Sequence, residues 1–321
     1  MTEVIGAYDK IRRIDTGIFS MNQALRNDVT DETGFPIRTI TEIFGNPGLG
    51  KSSLSYYLAG EITKQVKPDG SIALLDLEGL DSEHLPKAIS TGGFSGKIQI
   101  VEAIDNKGKP KSHESMLDEW IDMLDTPESV CGIVDSIGAI SPISERESGI
   151  EEGFGAKRAV AVSRFVRKLM ATIRESPDPK VALLTNHVHV AIGGVGHTTT
   201  GGVQLGFAAA TRIYIYNSSK DAIKQGDTVL SNVLVGRLEK LRYGGKGREF
   251  KFVISPGRGV RPNLCAVQDC VDLGIATRGA VVKIGETSFG RIGEIFQRDV
   301  DGDRDFFKPF HSALRQYETT K

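Results

Sequence analysis

The stretch "TEIFGNPGLGKSS", Thr41 to Ser53, constrains what this 321-residue chain can fold into more than any other. An apolar run ends at Gly45, four residues follow, and Gly50-Lys51-Ser52 then open a segment with helical periodicity. A glycine-rich turn between a strand and a helix aims backbone N–H groups at phosphate oxygens, and the helix N-terminus adds partial positive charge. Gly45, Asn46, Pro47, Gly48, Leu49, Gly50, Lys51, Ser52 and Ser53 are therefore the expected nucleotide-phosphate cradle. Lys51 reaches the terminal phosphates and the Ser52 hydroxyl binds Mg2+. The strand before and the helix after weigh against a turn that merely caps a helix.

The rest of the chain suits such a loop. "TITEIFG" (39–45), "SIALLDLE" (71–78), "GKIQIVEA" (96–103), "SVCGIVDS" (129–136) and "KVALLTNH" (180–187) read as strands buried on both faces. Segments 52–66, 82–91, 112–125 and 154–175 read as helices between them. This alternation implies an α/β fold with a mostly parallel central sheet flanked by helices. After residue 207 the pattern turns strand-rich, and from about 262 it turns short and mixed. The expected division is a short N-terminal segment, 1–25, a core, 26–261, and a small C-terminal domain, 262–321. With 39% apolar and 25% charged residues the chain can bury a substantial interior.

A net charge of −1 removes the global polycation, so any nucleic-acid binding must come from a local patch or from loops. Three cysteines, Cys131, Cys265 and Cys270, are an odd and sparse set and read as free thiols of a reducing compartment. No apolar run is long enough to span a membrane and the start lacks a leader pattern, so a cytoplasmic location without membrane partners is the expectation.

A nucleotide cleft needs carboxylates. "VCGIVDSIGAI" supplies Asp135 at a strand end, the expected partner of Ser52 through the metal and its waters. "ALLDLEGLD" puts Glu78 just past another strand, where it can face the γ-phosphate and polarise water. Asp76 competes for that role, because alternation points it the same way. The stretch "LLTNHVHVAIGGVGHTTTGGVQLG", Leu183 to Gly206, begins as a core strand and loosens into Gly and Thr with no Lys or Arg. Its start, Asn186 and His187, falls beside the phosphate site. His187, His189 and His197 also raise the alternative of a metal site, although no Cys or carboxylate lies near them in sequence. The 154–175 helix carries Lys157, Arg164 and Lys168 on one face, opposite Val162, Val166, Leu169 and Ile173. Such a stripe is either a solvated face or a phosphate contact.

Four motifs, "RIDTGIFSMNQAL", "LLDLEGLDSEH", "GIVDSIGAISPISERESGIEEGFGAKRA" and "LLTNHVHVAIG" with its "TTTGG", follow one another as in bacterial RecA and its phage relatives of the UvsX type. From about residue 11 to past 300 the chain resembles the RecA family of homologous recombinases. The resemblance implies a RecA-like P-loop ATPase core. It implies DNA-dependent ATP hydrolysis and an ATP-dependent, homo-oligomeric filament on single-stranded DNA that pairs it with homologous double-stranded DNA. ATP would sit at the subunit interface, and single-strand-binding and mediator proteins are the expected partners.

On this resemblance Glu78 is the catalytic carboxylate, and Asp81 and His84 contact the adenine. Two loops bind DNA: about 145–155, with Phe154, Gly155, Lys157, Arg158, Arg164 and Lys168 in or after it, and the Leu183–Gly206 stretch. The second brings His189, Val190, Ile192, Thr198, Thr199, Thr200, Gly201 and Gly202, and is expected to order on DNA. Asn186 and His187, at the end of their strand, are expected to detect the γ-phosphate by hydrogen bond. Lys240 and Arg242 of "GRLEKLRYGG" reach the neighbouring subunit's γ-phosphate, like an arginine finger in trans; the alternative is charge on an edge strand. Two other functions stay open: a ring-forming RecA-fold motor, and a single-strand annealing protein with a regulatory nucleotide site.

Overall fold

The apolar strands assemble side by side because all but one are buried from above and below. The computed structural model describes residues 13–79, 85, 89, 93–143, 155–190, 197–225 and 227–320. In chain order the elements are β1 (Arg13–Ile14), α1 (Phe19–Ala24), β2 (Phe35–Pro36), β3 (Ile40–Gly45), α2 (Lys51–Val66), β4 (Ser71–Asp76) and β5 (Lys97–Ile100). Then come α3 (His113–Asp125), β6 (Ser129–Asp135), α4 (Gly155–Glu175), β7 (Val181–Val190), β8 (His197–Thr199) and α5 (Val203–Ala208). The chain continues through β9 (Thr211–Gln225), β10 (Thr228–Leu241), β11 (Glu249–Ser255), β12 (Gly259–Val260) and α6 (Pro262–Asp272). It closes with β13 (Ala276–Arg278), β14 (Val282–Ile284), β15 (Thr287–Ser288), α7 (Ile292–Val300) and α8 (Arg304–Thr319).

The main sheet runs β12-β11-β10-β9-β3-β7-β6-β4-β5. Neighbours from β9 through β3, β7, β6 and β4 to β5 are parallel, and β9 to β12 form an antiparallel meander. Strand alternation sorts side chains into two cores. Ile72, Leu74, Ile133 and Leu183 pack with Leu54, Leu58 and Ile62 of α2; Ala73, Leu75, Val134 and Leu184 pack with Trp120 of α3 and with Val162, Val166, Leu169 and Ile173 of α4. Leu264, Cys265, Phe307, Phe310 and Leu314 belong to the first core. All three cysteines are free and buried.

One strand departs from the two-faced burial its sequence suggests. β5 lies at the sheet edge, and Lys97, Gln99 and Ile100 are exposed. Among the described residues only β4 pairs with it, so a short apolar run can serve as an edge. No helix among the described residues is long and apolar enough to cross a membrane.

Asp269 on α6 is 2% exposed, and burial, against hydrogen bonds from Ser20, pushes its carboxyl up to about 7. A folded pKa above the unfolded one means stability that is fully present below the unfolded pKa and is lost as pH rises through about 7. Asp269→Asn is expected to flatten this dependence and to melt several degrees above the parent in mildly alkaline buffer. Thermal denaturation followed from acid to alkaline pH checks it.

Candidate nucleotide site

The C-terminal ends of β3, β4, β6 and β7 open on one side of the sheet, the place where parallel sheets take ligands. Gly45 closes β3, and the loop reaches α2 through Gly50, whose φ of 69° is left-handed. That backbone conformation favours glycine, and a Cβ there would also stand 2.8 Å from Ile254 Cδ1. The cleft around the loop holds about 480 Å³ and is lined by Pro47 to Ser53, Tyr56, Glu78 and His187, with Asn232 and Ile254 to Gly257 on the far wall. Asn46 Oδ1 and Nδ2 do not enter that lining, but the Asn46 carbonyl accepts a hydrogen bond from Lys51 Nζ at 3.0 Å. Lys51 is 7% exposed; burial lowers its pKa, while the charges of Glu78 and Asp135 act to raise it.

Asp135 ends β6 on the same face as Ile133, toward α2, and is 2% exposed. Its Oδ2 accepts a hydrogen bond from Tyr56 at 2.7 Å and its Oδ1 accepts one from Thr185. Sequence alternation left Asp76 and Glu78 level, and geometry separates them. Asp76 Oδ1 accepts from the backbone N–H groups of Glu78 and Gly79 at 2.9 and 3.0 Å, fixing the turn that follows β4. Glu78 Oε1 instead receives Ser136 Oγ and lies 2.8 Å from His187 Nε2. Burial would raise the Glu78 carboxyl, but the hydrogen bonds from Ser136 and His187, with the charges of His187 and Lys51, hold it below the usual carboxylate range. Glu78 therefore stays ionised as pH falls to its ordinary titration range.

β7 divides its work by parity. Thr185 and His187 face the α2 side with Leu183, whereas Asn186 faces the opposite side with Leu184. Asn186 thus turns away from the phosphate loop, although it pairs with Phe44 at the end of the strand that leads into that loop. Its Nδ2 donates to Glu42 Oε1 and to the Thr200 carbonyl, both at 2.9 Å, and its Oδ1 accepts from His187 N at 2.9 Å. Fully buried Glu42 also pairs with Arg212, which lies 4.8 Å over the Phe44 ring and donates to Thr199 Oγ1 at 3.3 Å.

The second loop of the sequence reading has structure at its described end. Thr199 pairs with Val188 and Thr198 with His189, so β8 forms a hairpin with β7. β-branched Thr favours this extended pairing. Gly201, at φ 97°, brings the chain within 3.0 Å of Val162 Cγ1 for a built Cβ, and Gly202 follows it into α5. Asp81, His84, Phe154 and Ile192 lie outside the described residues, as do the side chains of Gly155's neighbour Ala156, His189 and Val190.

On α4, Arg164 and Lys168 are exposed and the expected apolar face is buried. Lys168 Nζ donates to Asp118 of α3 at 2.8 Å, so this end of the stripe is held by a neighbouring helix. Lys157 and Arg158 are half-buried, and Arg158 reaches the Gly138 carbonyl at 3.4 Å. Lys240 and Arg242 stand apart from the cleft. Lys240 Nζ donates to the carbonyls of Gly206 and Phe207 at 2.9 and 2.8 Å, and Arg242, just beyond β10, borders a hollow with Arg38 and Arg174. β10 lies between β9 and β11, so these charges are not on an edge strand.

The donor set suits a nucleotide with a magnesium ion. Lys51 is a buried cation in an open cleft, loop glycines leave room for phosphates, and Ser52 and Asp135 could hold the ion. A larger cavity of about 900 Å³, lined by Phe19, Tyr216, Lys251 and Asp269 among others, has no glycine-rich loop in its lining. Sequence reasoning missed Tyr56, Ser136, Thr185, Glu42 and Arg212. Two carried a signal: Tyr56 falls one helical turn after Ser52, and Glu42 interrupts an apolar strand.

Residues 5–260 match the family described as the RecA N-terminal domain. "Protein RecA" of Thioalkalivibrio sulfidiphilus is 28% identical over 303 residues, covering 93% of this chain and 80% of that protein. "Protein RecA" of Allochromatium vinosum is 29% identical over 286 residues, covering 88% and 74%. Among solved structures, that of "the RadB recombinase" aligns with TM-score 0.49 and 19% identity over 71% of this chain and 92% of that one.

Proposed function

This chain belongs to the RecA family, and from that premise we propose that it is a DNA-dependent ATPase that assembles on single-stranded DNA and pairs it with homologous duplex. In this reading the loop from Gly45 to Ser53 binds the ATP phosphates, and Ser52, with Asp135 through water, holds Mg2+. When bound, such an ion would offset negative charge on the phosphates. Glu78 takes a proton from the attacking water as the bond between the γ-phosphorus and the ADP oxygen breaks, and Lys51 balances the charge gathering on the phosphates. Asp81 and His84 frame the adenine. Phe154, Ile192, Val190 and the Thr198–Gly202 segment contact DNA, together with His189 and with Lys157, Arg158 and Arg164 of α4.

One observation carries the reading. His187 Nε2 meets Glu78 at 2.8 Å, while its backbone N–H is held by Asn186, whose Nδ2 grips the Thr200 carbonyl. The hydrolytic carboxylate and the Gly/Thr loop are thus joined through two consecutive residues of β7. A γ-phosphate competing for His187 would pull on that connection, which links nucleotide state to grip on DNA.

His187→Ala is expected to keep nucleotide affinity within a few-fold of the parent while abolishing the gain in single-stranded DNA affinity that ATP confers. Fluorescence anisotropy of labelled oligonucleotide with ATPγS and with ADP measures it; an unchanged ratio between the two nucleotides places the sensor elsewhere. Electron microscopy of the parent with ATPγS and single-stranded DNA tests the assembly. Helical filaments are the expected result, and closed rings would favour a motor.

A further inference from the structure

Asp135 is more tightly held than a metal-bridging carboxylate requires. Tyr56 OH donates to one oxygen at 2.7 Å and Thr185 Oγ1 to the other, and the three side chains are 2%, 0% and 2% exposed for Tyr56, Thr185 and Asp135. The donors come from opposite directions. Tyr56 lies on α2 one turn beyond Ser52, so the helix that offers the Ser52 hydroxyl also fixes its distance to Asp135. Thr185 lies on β7, two residues before His187 and on the same face.

Each carboxylate oxygen gives one lone pair to a hydroxyl and keeps one. A carboxylate engaged in this way is suited to accept hydrogen bonds from metal-bound waters and poorly suited to chelate a bare cation through both oxygens. Mg2+ retains its waters, whereas Ca2+ takes carboxylates directly and often bidentately.

We propose that Tyr56 and Thr185 are positioning residues that orient Asp135 toward the water shell of the nucleotide's metal and make the site selective for Mg2+ over Ca2+. This rests on the reading that the cleft takes a metal-bound nucleotide. Neither residue touches the reacting atoms. Both act through Asp135, and their hydroxyls, rather than their bulk, carry the effect.

The test is binding, without turnover. Affinity for a fluorescent ADP analogue is titrated against Mg2+ and against Ca2+ in the parent, Tyr56→Phe, Thr185→Val and Thr185→Ser, with EDTA as the metal-free arm. Loss of a partner to a metal-binding group costs about 10–100-fold in metal affinity. Tyr56→Phe and Thr185→Val are therefore expected to raise the Mg2+ midpoint about tenfold and narrow the Mg2+/Ca2+ difference, and Thr185→Val, which is outside the cleft lining, to leave affinity in EDTA unchanged. Thr185→Ser, which keeps the hydroxyl, is expected to behave as the parent. Hydroxyl-lacking variants with parental midpoints and selectivity would overturn the proposal, as would variants that lose affinity equally in EDTA. A parent whose ADP affinity ignores Mg2+ altogether would instead remove the metal-nucleotide reading on which the proposal stands.

Discussion

Glu78→Gln is expected to lower ATP turnover by about 10²–10⁴-fold while ATP still binds, the range for loss of a positioned general base. The substitution keeps the size of the side chain and an oxygen that can accept from Ser136 or His187, so the turn built by Asp76 should survive. What disappears is the anion. Ser136, His187 and Lys51 outweigh burial to keep that carboxylate ionised below the usual range, so the parent should not lose turnover through Glu78 until pH falls below ordinary carboxylate titration. Turnover and equilibrium ATP binding measured side by side separate the two roles. Hydrolysis within threefold of the parent would move the base to another group.

The second large effect concerns Lys240 and Arg242. They do not line the cleft of their own subunit, and Lys240 is anchored on the carbonyls of Gly206 and Phe207 at the end of α5. If Arg242 completes a neighbour's site, Arg242→Ala should cut DNA-stimulated turnover by about 10³–10⁵-fold, as removal of an arginine finger does. Nucleotide binding by the isolated subunit should not change. A mixing experiment isolates the trans component. Arg242→Ala subunits keep Glu78 and Glu78→Gln subunits keep Arg242, so an equal mixture rebuilds about a quarter of the interfaces with both groups intact. Activity from two inactive variants is the expected outcome; none from the mixture would return Arg242 to its own subunit.

Much of the fold was legible because its strands are short apolar runs between periodic helices. The 39–45, 129–136 and 180–187 readings match β3, β6 and β7 within three residues at either end. β5 was misjudged because an apolar run reports its composition, and only the order of strands reveals that it sits at the edge. The turn from β3 into α2 was legible as a contiguous glycine motif. The tie between Glu78 and His187 was not, since it joins the ends of β4 and β7, which β6 separates in the sheet. Alternation along β7 could have shown that Asn186 and His187 face opposite sides. What it could not show is that the far side holds Glu42, Arg212 and the Thr200 carbonyl. The α4 stripe has the same lesson in reverse, because Lys168 meets Asp118 of a helix that is distant in sequence.

DNA bound at one end of β7 is expected to act on chemistry at the phosphate cleft. The most direct measurement is steady-state ATP hydrolysis with and without single-stranded DNA, repeated across a salt series. Turnover that rises on adding DNA, and returns to its basal value as salt displaces the strand, is the predicted result. A rate that is the same with and without DNA at low salt, in a protein that binds both ATP and the strand, would contradict it.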